Sequence, residues 1–89
     1  MKNILITGAG SGIGQALAIE YSALKINLFL CGRNLQKLQK TKLLCEALKA
    51  KVFCEVVDVK DELAMKNWVD SIEEKYPLDL AIANAGISA

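Results

Sequence analysis

Thr7-Gly8-Ala9-Gly10-Ser11-Gly12-Ile13-Gly14 follows the apolar run Ile4-Leu5-Ile6 and leads straight into an amphipathic helical pattern. Glycines let a main chain turn with positive φ and approach a ligand closely. A helix start adds free N–H groups and the positive end of the helix dipole, which together suit a pyrophosphate. A strand, a glycine turn and a helix therefore predict a phosphate cradle for a dinucleotide. The spacing G-x-G-x-x-G is met in no register, but G-x-x-x-G-x-G is met by Gly8, Gly12 and Gly14. In that variant Gly8 makes the tight turn, Gly12 lets the backbone reach the phosphates and Gly14 lets the helix pack against the first strand. Gly10, Ser11 and Ile13 complete the candidate cradle.

The elements that must position this cradle follow from periodicity. Residues 2–6 read as a strand, and 13–25 as a helix with Ile13, Leu17, Tyr21 and Leu24 on its inner face. A buried strand over 27–31 precedes a helix over 34–49, which Asn34 caps and whose inner stripe is Leu38, Thr41, Leu44, Cys45 and Leu48. A strand at 51–57 leads to a helix at 62–75, capped by Asp61, with Met65, Trp68, Val69 and Ile72 on its apolar face. Pro77 ends that helix before a strand at 78–83. This β-α-β-α-β-α-β alternation predicts an α/β fold of Rossmann type: a partial doubly wound parallel sheet, in order 3-2-1-4, with helices on both faces. Residues 1–89 hold no repeat, low-complexity tract or linker, so no internal domain boundary is expected. Ligands in such sheets sit beyond the carboxyl ends of the strands at the switch point, here between strands 1 and 4. Gly8 to Gly14, Gly32 with Arg33, Asp58 with Val59, and Asn84 to Gly86 each follow a strand and fall on that one edge.

The string T-G-x-x-x-G-I-G near a chain start resembles the short-chain dehydrogenase/reductase family. Asp58-Val59 and Asn84-Ala85-Gly86 strengthen the resemblance, because they stand in the order and contexts of that family's adenine-site aspartate and its N-A-G segment. The resemblance implies that Asp58 hydrogen-bonds the adenine amino group, with Val59 against the ring. It also implies that Asn84, Ala85 and Gly86 steady the sheet and approach the cofactor. Position 83 is alanine where the family has a further asparagine. The family's activity is hydride transfer between a nicotinamide cofactor and a carbonyl or alcohol, with a tyrosine as general acid/base and a lysine lowering its pKa. Its catalytic serine and Tyr-x-x-x-Lys normally lie well beyond the N-A-G segment, so no catalytic residue is assigned here. Tyr21 and Lys25 spell Tyr-x-x-x-Lys literally. Nine residues past Gly12, however, Tyr21 is roughly 13 Å down the helix axis, out of reach of a reacting oxygen. Its place on the apolar stripe predicts a core tyrosine.

Cofactor choice turns on Gly32 and Arg33. An acidic side chain at the end of strand 2 holds the ribose 2′-hydroxyl of NAD and repels the 2′-phosphate of NADP. Gly32 instead leaves room, and Arg33 offers a planar, permanently charged fork. NADP(H) is the expected preference, with NAD(H) as the alternative. Family members that prefer NADP often carry a basic residue just before the second glycine of the loop; here Ser11 stands there.

At 89 residues the chain is near the size at which roughly 60–65% of the unfolded surface is buried, enough for one small core. A net charge of +1, with signs interspersed, argues against a nucleic-acid footprint or a polybasic membrane patch. No stretch has the length of a membrane span or the pattern of a secretory signal, so a cytoplasmic location is expected. Cys31, Cys45 and Cys54 are odd in number, form no C-x-x-C, and have no histidine to join them, so no metal site is expected. Cys31 and Cys54 read as small apolar strand residues and Cys45 as part of a helix face. Two functions fit: the cofactor-binding segment of an oxidoreductase seen as a fragment, or a non-catalytic module that pairs through the exposed edge of strand 4 with itself or another chain.

Overall fold

The computed structural model describes residues 2–84. Ala85 and Gly86, assigned above to the cofactor site, lie outside the described residues. Strands β1 (Lys2–Thr7), β2 (Ile26–Gly32), β3 (Lys51–Val56) and β4 (Leu80–Ile82) alternate with helices α1 (Gly12–Tyr21), α2 (Leu35–Ala47) and α3 (Glu62–Glu73). All strand pairings are parallel and the order is β3-β2-β1-β4, as the sequence predicts. Lys2 to Thr7 lie opposite Ile26 to Cys31, and Ile4 to Ile6 lie opposite Leu80 to Ile82.

Helices cover both faces. Ala18 of α1 and Leu38 and Cys45 of α2 pack with Ile4, Ile6, Leu28, Leu30 and Val52. On the other face Ile72 of α3, joined by Trp68 and Val69, packs on Leu5, Phe29 and Phe53. Because β2 is covered on both faces, it is buried from Asn27 to Cys31 without alternation, as a central parallel strand requires. Phe29 and Phe53 stack with centroids 5.0 Å apart, and Tyr76 tilts against both.

Four expectations are corrected. Helix α1 stops at Tyr21 rather than residue 25. The Ser22 hydroxyl donates to Ala18 O (2.7 Å), and Lys25 takes a left-handed φ of 70° that starts β2. The stripe Ile13, Tyr21 and Leu24 does not face the core: Ile13 is 54% exposed and Leu24 71%, while the buried residues of α1 are Gly14 and Ala18. Tyr21 is thus an exposed residue and not a core tyrosine. On α2, Leu38, Thr41 and Cys45 are buried, but Leu44 and Leu48 are partly open. Strand β4 is shorter than 78–83, because its start is held by side chains. Asn3 N donates to Asp79 Oδ2 (2.7 Å) and Asn3 Nδ2 to Pro77 O (3.0 Å), while Asp79 N returns a bond to Asn3 O (2.8 Å).

Candidate cofactor site

The glycine turn hangs from the sheet by bonds that continue its ladder. Ala9 N donates to Cys31 O (3.0 Å), so the chain leaves β1 still attached to β2. On the opposite side Asn84 N donates to Thr7 Oγ1 (3.0 Å) and Asn84 Nδ2 to Gly8 O (3.3 Å). Val57 N donates to Gly32 O (3.2 Å), which draws the Asp58 loop in beside the end of β2. The ends of four strands are therefore tied together on one edge of the sheet.

Gly8 and Gly12 have φ of 64° and 60°, the left-handed region a side chain disfavours. Gly14 serves a different purpose. A Cβ there would stand 2.6 Å from Gly8 C and 2.7 Å from Asn84 Nδ2, so only glycine lets α1 lie against the turn. Space above the loop is open, since a Cβ at Gly12 would meet nothing within 4 Å. Ser11 is the N-cap residue of α1 but makes no capping side-chain bond among the described residues. By contrast, Asn34 Oδ1 accepts from Lys37 N at α2, and Asp61 Oδ1 accepts from Ala64 N at α3, each at 3.0 Å. Both are the caps that the sequence predicts. The first-turn N–H groups of α1 are left for an external acceptor.

Thr41, which its spacing places in a packing stripe, is fully buried. Its hydroxyl donates to Ala9 O (2.9 Å), with Lys37 O at 3.2 Å as the alternative acceptor, and accepts from Gln15 Nε2 (3.1 Å). It thus joins α2, the glycine turn and α1. A threonine in an otherwise apolar helical stripe is the one sequence signal for this role. Burial pushes the Cys31 thiol from 9.0 up to about 11, opposed by a backbone hydrogen bond with Gly8. Beneath the turn it is a neutral packing group at pH 7. Burial likewise raises the Cys45 and Cys54 thiols.

Gly32 and Arg33 stand beside the turn. A Cβ on Gly32 would lie 3.3 Å from Leu38 Cδ2 and 3.8 Å from Gly10 N. Arg33 is exposed. Asp58 is also exposed, with Oδ1 accepting from Lys60 N (2.9 Å), and Val59 is half-buried next to it. Tyr21 and Lys25 lie at the other end of the sheet, where Lys25 O accepts from Lys2 N (3.1 Å) at the start of β1. Among the described residues no group of three potential metal ligands occurs, and no helix is long and apolar enough to cross a membrane.

A parallel sheet in this order, with a glycine turn opening an uncapped helix at its switch point, is a Rossmann-type α/β fold. The chain belongs to the short-chain dehydrogenase family, whose model matches residues 2–89. It is 34% identical over 85 residues to estradiol 17-beta-dehydrogenase 11 of Macaca fascicularis, a match covering 94% of this chain and 28% of the relative. Carveol dehydrogenase from Mycobacterium avium, solved in complex with NAD, superposes with a TM-score of 0.85 at 28% identity, over 96% of this chain and 35% of that one. L-Sorbose reductase from Gluconobacter frateurii, complexed with NADPH and L-sorbose, gives 0.84 at 28% identity, over 99% and 34%. The chain spans about a third or less of the length of these relatives.

Proposed function

We propose that residues 1–89 form the NADP(H)-binding segment of a cytoplasmic oxidoreductase that moves hydride between the cofactor and a carbonyl or alcohol. The observation that carries this is the uncapped start of α1 above two left-handed glycines, a cradle that side chains would fill. The solved neighbours hold NAD in one case and NADPH in the other, which supports a nicotinamide dinucleotide. In this reading Gly8, Gly10, Ser11, Gly12 and Ile13 hold the pyrophosphate, and Gly14 serves the same site by letting α1 bring its start against the turn. Asp58 and Val59 hold the adenine, Asn84 fixes the turn from β4, and Ala85 and Gly86, outside the described residues, belong to the same cofactor-binding set. Arg33 takes the 2′-phosphate in the room that Gly32 leaves. When bound, the dinucleotide supplies the hydride. The residues assigned here bind and orient; none is given the proton-transfer role, and the 89-residue chain alone is expected to turn over no carbonyl or alcohol.

Calorimetric titration with NADPH and NADH tests the reading. Tighter binding of NADPH, lost in Arg33→Ala and reversed in Gly32→Asp, is the expected result. The Gly32 site admits the new Cβ with a small shift of the flexible Leu38 end. Equal affinity of the unaltered chain for both dinucleotides would overturn the NADP(H) preference, and binding of neither would overturn the cradle.

A second reading has the outer edge of β4 pair with another copy. Leu80, 39% exposed on a strand whose described partner is β1 alone, favours it. A monomer mass by sedimentation across concentrations would exclude it.

A further inference from the structure

We propose that the outer edge of β3 takes an extended segment of a basic partner protein as a further strand, with an arginine of that segment entering a groove between Glu55 and Trp68. Strand β3 ends the sheet, and its described neighbour is β2, which it matches residue for residue from Lys51 opposite Asn27 to Val56 opposite Gly32. Val57 N donates inward to Gly32 O (3.2 Å). Main-chain groups alternate in direction along a strand, so the N–H and C=O groups of Val52, Cys54 and Val56 point outward, away from β2. Val56 itself is 49% exposed.

Edge strands are commonly guarded by proline, by a bulge or by charged side chains. Strand β3 contains no proline, and its pairing with β2 runs without a bulge. Lys51 does not guard the edge, because its Nζ is turned in over the Phe53 ring, 5.4 Å from the centroid. The remaining charge on the strand is Glu55. Phe53 packs on the α3 face, and by alternation Glu55 stands on that face too. A strand added alongside β3 would set one of its side chains next to the Glu55 carboxylate, where an acid is repelled and a cation attracted. Glu55 therefore selects what may pair.

Beside Glu55, between β3 and α3, lies a groove of about 520 Å³ lined by Glu55, Asp58, Asp61, Asn67, Trp68 and Ser71. No lysine or arginine lines it, and the one ion pair among the described residues, Lys66 with Asp70, is on the opposite face of α3. Asp58 and Asp61 each turn one oxygen to a main-chain N–H, of Lys60 and Ala64 respectively, whereas the Glu55 carboxylate has no partner among the described residues. Trp68 is half-buried, and a guanidinium can lie on an indole face while its fork meets a carboxylate. Strand addition of this kind draws affinity from main-chain bonds and specificity from pockets for alternate side chains. The groove also leads away from the strand ends, since Ser71 is ten residues and roughly 15 Å along α3 from Asp61. Neither Glu55 nor Trp68 is assigned to the cofactor, so the docking stands apart from that reading.

Trp68 is the chain's single tryptophan, and its emission reports on the groove directly. The full chain is titrated with a blocked peptide that alternates valine and threonine around one central arginine, followed by Trp68 emission and by calorimetry. Saturable binding is expected, weakened about fivefold when glutamine replaces the peptide's arginine, the size of a partly exposed charge contact. N-methylation of the peptide amides should weaken it more than about tenfold, because several main-chain bonds are lost. Glu55→Gln should weaken the arginine peptide about fivefold and leave the glutamine peptide unchanged. Val56→Pro removes an outward N–H without touching the ladder to β2 and should weaken both peptides. Circular dichroism checks that this variant folds, and the N-methylated peptide makes the same test on the unaltered chain. Failure of the arginine peptide to bind overturns the docking. Binding that survives N-methylation reports charge alone and overturns strand addition, and binding indifferent to both the arginine and Glu55 overturns the role of the groove. A concentration-dependent dimer in sedimentation that Val56→Pro abolishes would give the edge to a second copy of the chain and overturn the basic partner.

Discussion

The two faces of the sheet are held by opposite means. On the face of α1 and α2, α1 makes its contact by removing bulk: Gly14 and Ala18 are its buried residues, Leu38 of α2 fills the core beside it, and a buried hydroxyl on Thr41 ties the helices to the turn. On the face of α3, contact is made by adding bulk, with Ile72, Trp68 and Val69 set on Leu5 and the Phe29–Phe53 stack. The helix ends differ in the same sense. Asp61 closes the start of α3, whereas Ser11 leaves that of α1 open. A helix that only covers a sheet gains from every apolar area it buries. One that must bring main-chain N–H groups up to a ligand gains from backbone proximity, which side chains obstruct. Ile13 and Tyr21 of α1 lie outward as a result, Ile13 more than half exposed, while Leu17 and Ile19 are only partly buried against the core.

The sharpest way to break this comparison is to exchange the roles of bulk. Gly14→Ala places a methyl 2.6 Å from Gly8 C and 2.7 Å from Asn84 Nδ2, a clash with main chain that cannot turn aside. Urea denaturation should show a loss of about 3 kcal/mol or more, and the surviving folded chain should lose dinucleotide affinity as α1 backs away from the turn. Ile72→Ala should cost a similar amount, about 3 kcal/mol, by leaving a cavity on the other face. Its folded fraction should bind dinucleotide as before. Equal loss of affinity in both variants would mean that the faces are not separable. A smaller effect is expected from Thr41→Val, which keeps the volume but strands Ala9 O and Gln15 Nε2. About 2 kcal/mol should be lost, together with affinity, and retention of full affinity would show that the turn holds its shape without α2.

Much of this was legible beforehand, and the parts that were not share a cause. Strand order and the gathering of motifs on one edge follow from the β-α alternation and from glycines placed after Ile4-Leu5-Ile6, features that depend on chain order alone. The caps at Asn34 and Asp61 were equally plain, being local side-chain-to-backbone bonds. Apolar periodicity misplaced the inner face of α1 because it weighs bulk, and the contact there is decided by its absence at Gly14 and Ala18. It read Thr41 as packing because a hydroxyl's partner, Ala9 O, lies 32 residues away in the chain. The end of α1 escaped for a local reason: Ser22 bonding back to Ala18 competes with the helix, which periodicity does not register. Asn84 was assigned through its motif, but its bond to Gly8 O, which explains why Gly14 must be bare, appears only in three dimensions.

The smallest predicted effect discriminates best between a helix start built for stability and one kept open for a ligand. Asp61→Ala removes the bond to Ala64 N and should cost about 1 kcal/mol of unfolding free energy. Ser11 has extended backbone angles, φ −163° and ψ 169°, at the equivalent position, yet makes no capping side-chain bond among the described residues. Ser11→Ala should therefore change stability by less than about 0.5 kcal/mol. If Ser11 guards a ligand site, the same substitution should lower dinucleotide affinity, an effect Asp61→Ala should not share once both variants are compared fully folded. A cost at Ser11 matching that at Asp61, with affinity intact, would make it an ordinary cap and remove the distinction between the two helix starts on which the cofactor assignment leans.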